Sequence, residues 1–203
     1  MKVSIITAAF RAEYMDRVWA SIVSQTHKEW EWIIVNDGQA GIREWYRKRR
    51  EEGVFNDYCV WLIDNERCLG RFGLHSRNIG AIAARNKYII FADDDNEFYP
   101  DHIESLLSKK EETGKTPYCD IHVKGKKPGS TFERTRYTTL GRAQIDLGCL
   151  LYDKDVLNKT GYFKDDAQVT FDWNCIERII KEVGADNFVP TRKRTLIFWH
   201  RRY

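Results

Sequence analysis

The first half of the chain alternates short apolar runs with longer amphipathic stretches, and this alternation limits the folds that are open to it. The apolar runs have the length and residue types of buried strands, and they cover residues 3–7, 32–35, 58–63 and 88–91. Between them, apolar side chains recur at helical spacing. Apolar strands that are each followed by a helix predict an α/β fold of the Rossmann-like type, with a central, mostly parallel sheet flanked by helices.

The second half is less regular, and its predicted elements are fewer. They are a helix starting at Pro100, a hairpin or mobile loop over 124–136, a strand over 145–152, a helix over 173–183 and a last strand over 196–199. The chain has 203 residues, which is the length of one domain, so we expect a single domain over residues 1–203.

Charge and cysteine usage exclude several classes of protein. The 33 Lys and Arg residues nearly balance 30 Asp and Glu, which argues against nucleic acid as a partner. The basic run 47–50 is typical of a solvated helix face, whereas the basic end 192–202 leaves open a contact with phosphate or with an anionic membrane surface. Five cysteines without CxxC spacing indicate neither a disulfide framework nor a zinc site.

The expected location is the cytoplasm, with peripheral contact at the inner membrane face as an open alternative. Cysteines without a pairing pattern fit a reducing compartment. The opening residues do not resemble a signal peptide, and no apolar run approaches the roughly 20 residues that span a bilayer.

Carboxylates follow two of the predicted strands. Asp37 follows the second strand, and Asp93, Asp94 and Asp95 follow the fourth. Ligands of parallel α/β sheets bind beyond the carboxyl ends of the strands. Adjacent like charges repel, and a divalent cation such as Mg²⁺ or Mn²⁺ relieves that repulsion. A solvated acidic turn is the alternative, but the position at a strand end favours the metal.

Two nucleotide-binding motifs are incomplete or absent in this sequence. Gly114-Lys115-Thr116 ends like a phosphate-binding P-loop, but position 109 is Lys where that motif requires Gly. The chain contains no GxGxxG, which argues against a dinucleotide-binding dehydrogenase.

Six blocks in a fixed order resemble family 2 glycosyltransferases. They are Val3 to Phe10, Ser24-Gln25-Thr26, Val35-Asn36-Asp37-Gly38, Arg77-Asn78-Ile79-Gly80, Lys87 to Phe91 and Asp93-Asp94-Asp95-Asn96. The second half is most similar to the spore-coat polysaccharide type, through Gln144-Ile145-Asp146, Leu151-Tyr152, Val156-Leu157 and Gly161-Tyr162-Phe163.

The resemblance implies a GT-A fold and metal-dependent, inverting transfer of a sugar from a nucleoside-diphosphate sugar, with UDP preferred. The acceptor would be a saccharide or a lipid-linked saccharide, as in polysaccharide biosynthesis. Residues 1–96 would form the nucleotide-binding half and residues 97–203 the acceptor-binding half. The implied nucleotide contacts are Thr7, Ala8, Ala9, Asp37, Arg77, Asp93 and Asp94.

The resemblance also assigns the chemistry. Asp95 would bind Mn²⁺ or Mg²⁺, and Asp172 would be the general base. Asp172 could equally be the N-cap of the following helix. Asp146 lies on a predicted strand edge among apolar neighbours, and this position, not the resemblance, suggests that it binds an acceptor hydroxyl or else holds a structural hydrogen bond. His200 would lie near the metal or the diphosphate, although a His near a chain end often has no role.

The chain departs from the family pattern at Ala8-Ala9 and Arg11, where Pro-Thr and Asn are common, and at Asn36, where Asp is common. Two other functions are compatible with a nucleotide-binding α/β fold. A sugar nucleotidyltransferase would need a glycine-rich loop after the first strand, and residues 7–11 contain no glycine. A non-catalytic binding module would be favoured by loss of the carboxylates, and all of them are present.

Overall fold

A five-stranded sheet forms the centre of the protein. The computed structural model describes residues 1–127, 130–165 and 171–200. Within them the strand order of this sheet is β3-β2-β1-β4-β8, with only β8 antiparallel to its neighbour. The strands are β1 (Val3–Ala9), β2 (Trp30–Asp37), β3 (Val60–Asn65), β4 (Tyr88–Phe91) and β8 (Tyr152–Asp153). The predicted mixed α/β fold with a mostly parallel sheet is confirmed.

Helices connect these strands and flank the sheet. They are α1 (Met15–Val23), α2 (Ala40–Glu51), α3 (Leu74–Ala83), α4 (His102–Thr113), α5 (Lys154–Thr160) and α6 (Phe171–Val183). Their apolar faces complete a core in which β1 and β2 are buried along almost their whole length. No helix in the described parts of the chain is both long enough and apolar enough to cross a membrane.

A second sheet has the order β5-β9-β6-β7. Its strands are β5 (Glu97–Phe98), β6 (Thr116–Lys127), β7 (Ser130–Arg136) and β9 (Phe188–His200). Strands β6 and β7 form the predicted antiparallel hairpin, and β6 pairs with β9 in parallel. An isolated bridge between Tyr118 and Leu150 links β6 to the segment that leads into the central sheet.

The strand predicted over residues 145–152 is wrong. A 3-10 turn occupies Leu147–Cys149, and only Tyr152–Asp153 forms a strand. The Asp146 carboxylate accepts a hydrogen bond from the Gly148 backbone N–H at 2.9 Å, which closes the turn and interrupts the extended backbone.

The helix that was predicted to start at Pro100 begins two residues later. Helix α4 begins at His102, and Asp101 is its N-cap, so Pro100 precedes the helix instead of opening it. The Pro100 carbonyl accepts a hydrogen bond from the Thr26 backbone N–H at 2.8 Å. This bond holds the residue in the loop between β5 and α4. Helix α5 was not predicted from the sequence.

Candidate active site

The carboxyl ends of three adjacent strands meet at one edge of the central sheet. Strand β1 lies between β2 and β4, and the chain order reverses direction across β1 and β4. Asp37 is the last residue of β2, and the acidic triplet follows β4 after Ala92. The two groups of carboxylates therefore flank the end of β1, where α/β sheets bind ligands.

Asp37 is tied to a neighbouring loop. Its Oδ1 accepts a hydrogen bond from the Leu69 backbone N–H at 2.6 Å. Gly38 permits this approach, because a Cβ at that position would lie 2.2 Å from the Cys68 backbone nitrogen. Gly38 also has a φ of +74°, a conformation that side chains disfavour. Asp37 is thus buried at the edge with one oxygen committed to the loop.

The contacts of Asn36 explain why an amide, and not the carboxylate expected from the family pattern, occupies this position. Its side-chain amide donates to Asp64 Oδ1 at 2.7 Å and to the Gln39 carbonyl at 3.0 Å. An Asp at this position could donate neither bond and would face the Asp64 carboxylate with a like charge.

The three consecutive carboxylates point to different partners. Asp94 is buried, and its Oδ2 accepts from the backbone N–H groups of Phe10 and Arg11, both at 2.8 Å. The Arg11 guanidinium donates two hydrogen bonds to Asp94 Oδ1, one from Nε at 2.9 Å and one from Nη2. Asp94 therefore fastens the loop after β1 to the loop after β4. Its predicted ribose contact stays a prediction.

Arg11 also reaches Asp95, through Nη1 to Oδ2 at 2.6 Å. Burial lowers the pKa of Arg11, but hydrogen bonds and charge from Asp94, together with Asp95, raise it overall. The sequence marked Arg11 only as a departure from the family pattern. Asp94 and Asp95 lie 83 and 84 positions after Arg11 in the chain, so no local sequence pattern predicts these contacts.

Arg77 anchors the opposite side of the triplet. This buried guanidinium donates to Asp93 Oδ1 at 2.6 Å and to the Phe72 carbonyl at 2.7 Å. Phe72 and Arg71 both have positive φ values, 51° and 53°, and Phe72 is 79% exposed. The hydrogen bond from Arg77 thus helps to hold a strained loop beside the site.

Two further carboxylates lie within electrostatic reach of Arg77 and Asp93. Burial raises the pKa of Asp172 to about 6, against the opposing effect of Arg77. Burial and the charge of Asp93 raise the pKa of Asp146 to about 7, although the hydrogen bond from Gly148 lowers it. Asp172 Oδ1 is buried and has no hydrogen-bond partner among the described residues.

Asp172 is not the N-cap of its helix. Helix α6 begins at Phe171, so Asp172 lies in the first turn, where its charge still faces the positive end of the helix dipole. Asp146 does form a structural hydrogen bond, which is one of the two roles expected for it from the sequence.

The predicted nucleotide contacts on β1 have little to offer a ligand through their side chains. Thr7 is fully buried, and its hydroxyl accepts from Trp32 Nε1 at 2.9 Å, so only its backbone can meet a ligand. Ala8 and Ala9 end β1 and likewise present backbone groups. His200 ends β9, and its side chain lies outside the described residues.

No three His, Cys, Asp or Glu side chains converge as a ready-made metal site in the described parts of the chain. The Asp95 carboxylate is partly exposed, whereas Asp94 faces inward. Carboxylate oxygens suit Mg²⁺ or Mn²⁺, which usually keep several ligands from water or a substrate phosphate. Asp95 therefore fits a metal as one ligand of an incomplete shell.

The sequence model of the glycosyl transferase family 2 domain matches residues 4–177. The chain belongs to glycosyl transferase family 2. The family predicted from the sequence is confirmed, and with it the class of enzyme, a glycosyltransferase.

Two curated relatives carry the same general description. An uncharacterized glycosyltransferase of Haemophilus influenzae is 32% identical over 126 residues, which are 60% of this chain and 38% of the relative.

The second relative is the uncharacterized glycosyltransferase YwdF of Bacillus subtilis. It is 26% identical over 195 residues, 90% of this chain and 69% of YwdF. The chain thus spans about two fifths of the Haemophilus relative and about two thirds of YwdF.

Solved structures of Staphylococcus aureus TarS share the fold. The complex of TarS residues 1–349 with UDP matches 98% of this chain and 61% of that one, with a TM-score of 0.77 and 16% identity. The complex with UDP-GlcNAc matches with the same TM-score and identity over the whole of this chain and 60% of that one. This likeness confirms the GT-A fold.

Proposed function

We propose that this domain transfers a sugar, with inversion, from a nucleoside-diphosphate sugar to a hydroxyl of a saccharide or lipid-linked saccharide. UDP is the preferred nucleotide, and Mn²⁺ or Mg²⁺ is the cofactor. Family membership supports the reaction class. The UDP and UDP-GlcNAc complexes of TarS support the choice of donor.

The observation that carries the proposal is Asp172. Its carboxylate combines a pKa of about 6 with a buried oxygen that has no hydrogen-bond partner among the described residues. A general base is most effective when its pKa lies near the working pH and one oxygen is free to receive a proton. Asp172 meets both conditions, and it lies within electrostatic reach of Arg77 and of Asp93, which follows β4.

The donor would lie across the ends of β1, β2 and β4. Asp37 and the backbone of residues 7–9 would contact the base and ribose, with Asp93 or Asp94 on the ribose. Arg77 would approach the diphosphate and stabilise the charge that develops as it leaves. Asp95 would hold the divalent cation, which when bound neutralises that same charge. His200 stays a predicted second metal contact.

In the reaction, the acceptor hydroxyl attacks the anomeric carbon from the face opposite the diphosphate. Asp172 accepts the proton of that hydroxyl as the new bond forms. Asp146 would hold the acceptor, with residues 97–203 as the acceptor half of a single domain. A cytoplasmic location and peripheral membrane contact stay predictions.

The proposal is tested by replacing Asp172 with Asn. The amide keeps the size of the side chain but cannot take up the proton, so turnover should fall by about 10²–10⁴-fold while UDP affinity stays unchanged. Transfer, or slow hydrolysis of the donor when no acceptor is known, is the readout. In the parent protein the rate should rise with pH through about 6.

Glu177→Gln is the matched control. It removes a carboxylate from the same helix. Glu177 Oε2 lies 3.6 Å from Lys181 Nζ, so its partner is a lysine of that helix and not Arg77. Its turnover should equal that of the parent protein. If Asp172→Asn retains full turnover, Asp172 is not the base.

A further inference from the structure

Arg11 places a positive charge beside Asp95, the residue proposed to hold the metal. Three of its groups take part in two ion pairs: Nε and Nη2 bind Asp94, and Nη1 lies 2.6 Å from Asp95 Oδ2. A guanidinium is planar and presents its donors in a fixed fork, so one side chain can bridge two carboxylates.

The position of Arg11 is firmly determined. Asp94 is 3% exposed and also receives the backbone N–H groups of Phe10 and Arg11 itself. Because the Asp94 contact is buried and two-pronged, the guanidinium has little freedom to leave. The Asp95 contact is different, since the Asp95 side chain is 20% exposed and the Arg11 side chain is 37% exposed, so solvent or another cation can reach this contact.

We propose that Arg11 is a resident counter-ion of Asp95 that competes with the divalent cation for this carboxylate. This inference rests on the proposed function. A cation arriving at Asp95 must displace Arg11 Nη1 from Oδ2 or share the carboxylate with it, and it meets a like charge within a few Å in either case. The nucleotide-free protein therefore binds Mn²⁺ weakly, and the donor diphosphate, by adding negative charge and oxygen ligands, shifts the balance toward the metal.

Arg17 provides a matched control. It also lies beside the triplet, but it donates to the main-chain carbonyl of Asp95 at 3.2 Å and pairs with Glu97 at 2.8 Å. Its exposure, 32%, is close to that of Arg11. Arg17→Gln removes the same charge from the same neighbourhood without freeing the Asp95 carboxylate.

The test is a Mn²⁺ titration of the nucleotide-free protein, followed by the electron paramagnetic resonance signal of free Mn²⁺. Arg11→Gln should bind Mn²⁺ at least about tenfold more tightly than the parent protein, because a like charge a few Å away has been removed. Arg17→Gln should change the affinity much less. In an Asp95→Asn background, removing Arg11 should have no effect, since the contested carboxylate is absent.

The proposal is overturned if Arg11→Gln binds Mn²⁺ no better than the parent protein, including when neither binds it. It is also overturned if Arg17→Gln gives an equal gain, because the effect would then be one of general charge. Should Arg11→Gln fail to fold, Arg11→Met takes its place. This variant also removes the charge beside Asp95 while it keeps an unbranched apolar side chain, so it must also show a gain.

The titration is repeated with saturating UDP to separate the two claims. If no variant binds UDP with or without Mn²⁺, the proposed function fails. If UDP and Mn²⁺ bind together to the parent protein but Arg11→Gln has no effect on Mn²⁺ affinity, only the role of Arg11 fails.

Discussion

At the scale of single residues, two carboxylates of the site, those of Asp146 and Asp172, are held in surroundings that disfavour their charge and raise their pKa. Asp172 has a folded-state pKa of about 6, above the ordinary value of 3.8, because burial outweighs the attraction of Arg77. The folded protein thus binds this proton more tightly than the unfolded chain. The resulting stabilisation is fully present below about pH 4 and is lost as the pH rises through 6.

Asp172→Asn should therefore flatten the dependence of stability on pH. A shift of about two pKa units corresponds to roughly 2–3 kcal/mol, so the parent protein should lose on the order of 2 kcal/mol relative to the variant between pH 4 and pH 8. Denaturant unfolding at several pH values measures this difference. Parallel curves for the two proteins would show that Asp172 is solvated in the folded state.

The sequence predicted that the carboxylates following β2 and β4 lie at one edge of the sheet, but not where each one points. Position follows from strand ends, which local apolar patterning reveals. Orientation depends on partners far along the chain, such as Arg11 for Asp94 and Arg77 for Asp93. Arg77 was expected at the nucleotide from the resemblance, whereas its bond to the strained loop at Phe72 has no sequence signature.

At the scale of elements, long periodic segments were predictable and short ones were not. All four parallel strands and the helices between them lie where apolar patterning placed them. Helix α5 has seven residues, too few for a periodic signal, and it depends on Asp153 accepting from the Asp155 backbone N–H at its start. The apolar residues 145–152 resemble a strand, yet the side chain of Asp146 turns the chain there.

Gly80 is the point at which α3 packs against the sheet. A Cβ at this position would lie 2.4 Å from Ile6 Cγ2 and 3.2 Å from Val35 Cγ2. Gly80→Ala should therefore destabilise the protein by about 1–3 kcal/mol, because the added methyl group forces a core helix away from β1.

Gly41 in α2 is the control for this substitution. Its nearest contact would be the Ala12 Cβ at 3.2 Å, a side-chain atom at the edge of the core. Gly41→Ala should destabilise the protein much less than Gly80→Ala, because a shift of a few tenths of an Å by Ala12 relieves this contact and helix propensity offsets up to about 1 kcal/mol of its cost. Thermal unfolding of both variants checks the pair. Equal stability of Gly80→Ala and the parent protein would contradict the packing described here.

At the scale of the whole molecule, the fold class followed from strand and helix alternation, and the arrangement of the second sheet did not. Strands β6 and β9 pair in parallel, with paired residues such as Thr116 and Phe188 72 positions apart in the chain and with register shifts between Tyr118 and Ile121. Such long-range pairing depends on tertiary packing that local patterns do not encode. The division into a nucleotide-binding and an acceptor-binding half stays a prediction.

The central claim is that the sheet edge formed by β1, β2 and β4 binds a nucleoside diphosphate with a divalent cation. Calorimetric titration of UDP into the protein, with Mn²⁺ and then with a chelator, tests it most directly. We predict saturable binding that is much tighter with Mn²⁺, and loss of that enhancement in Asp95→Asn, which should keep the parent melting temperature. Equal affinity in Mn²⁺ and chelator would contradict the metal role of Asp95. No binding of any nucleoside diphosphate under either condition would contradict the proposed function itself.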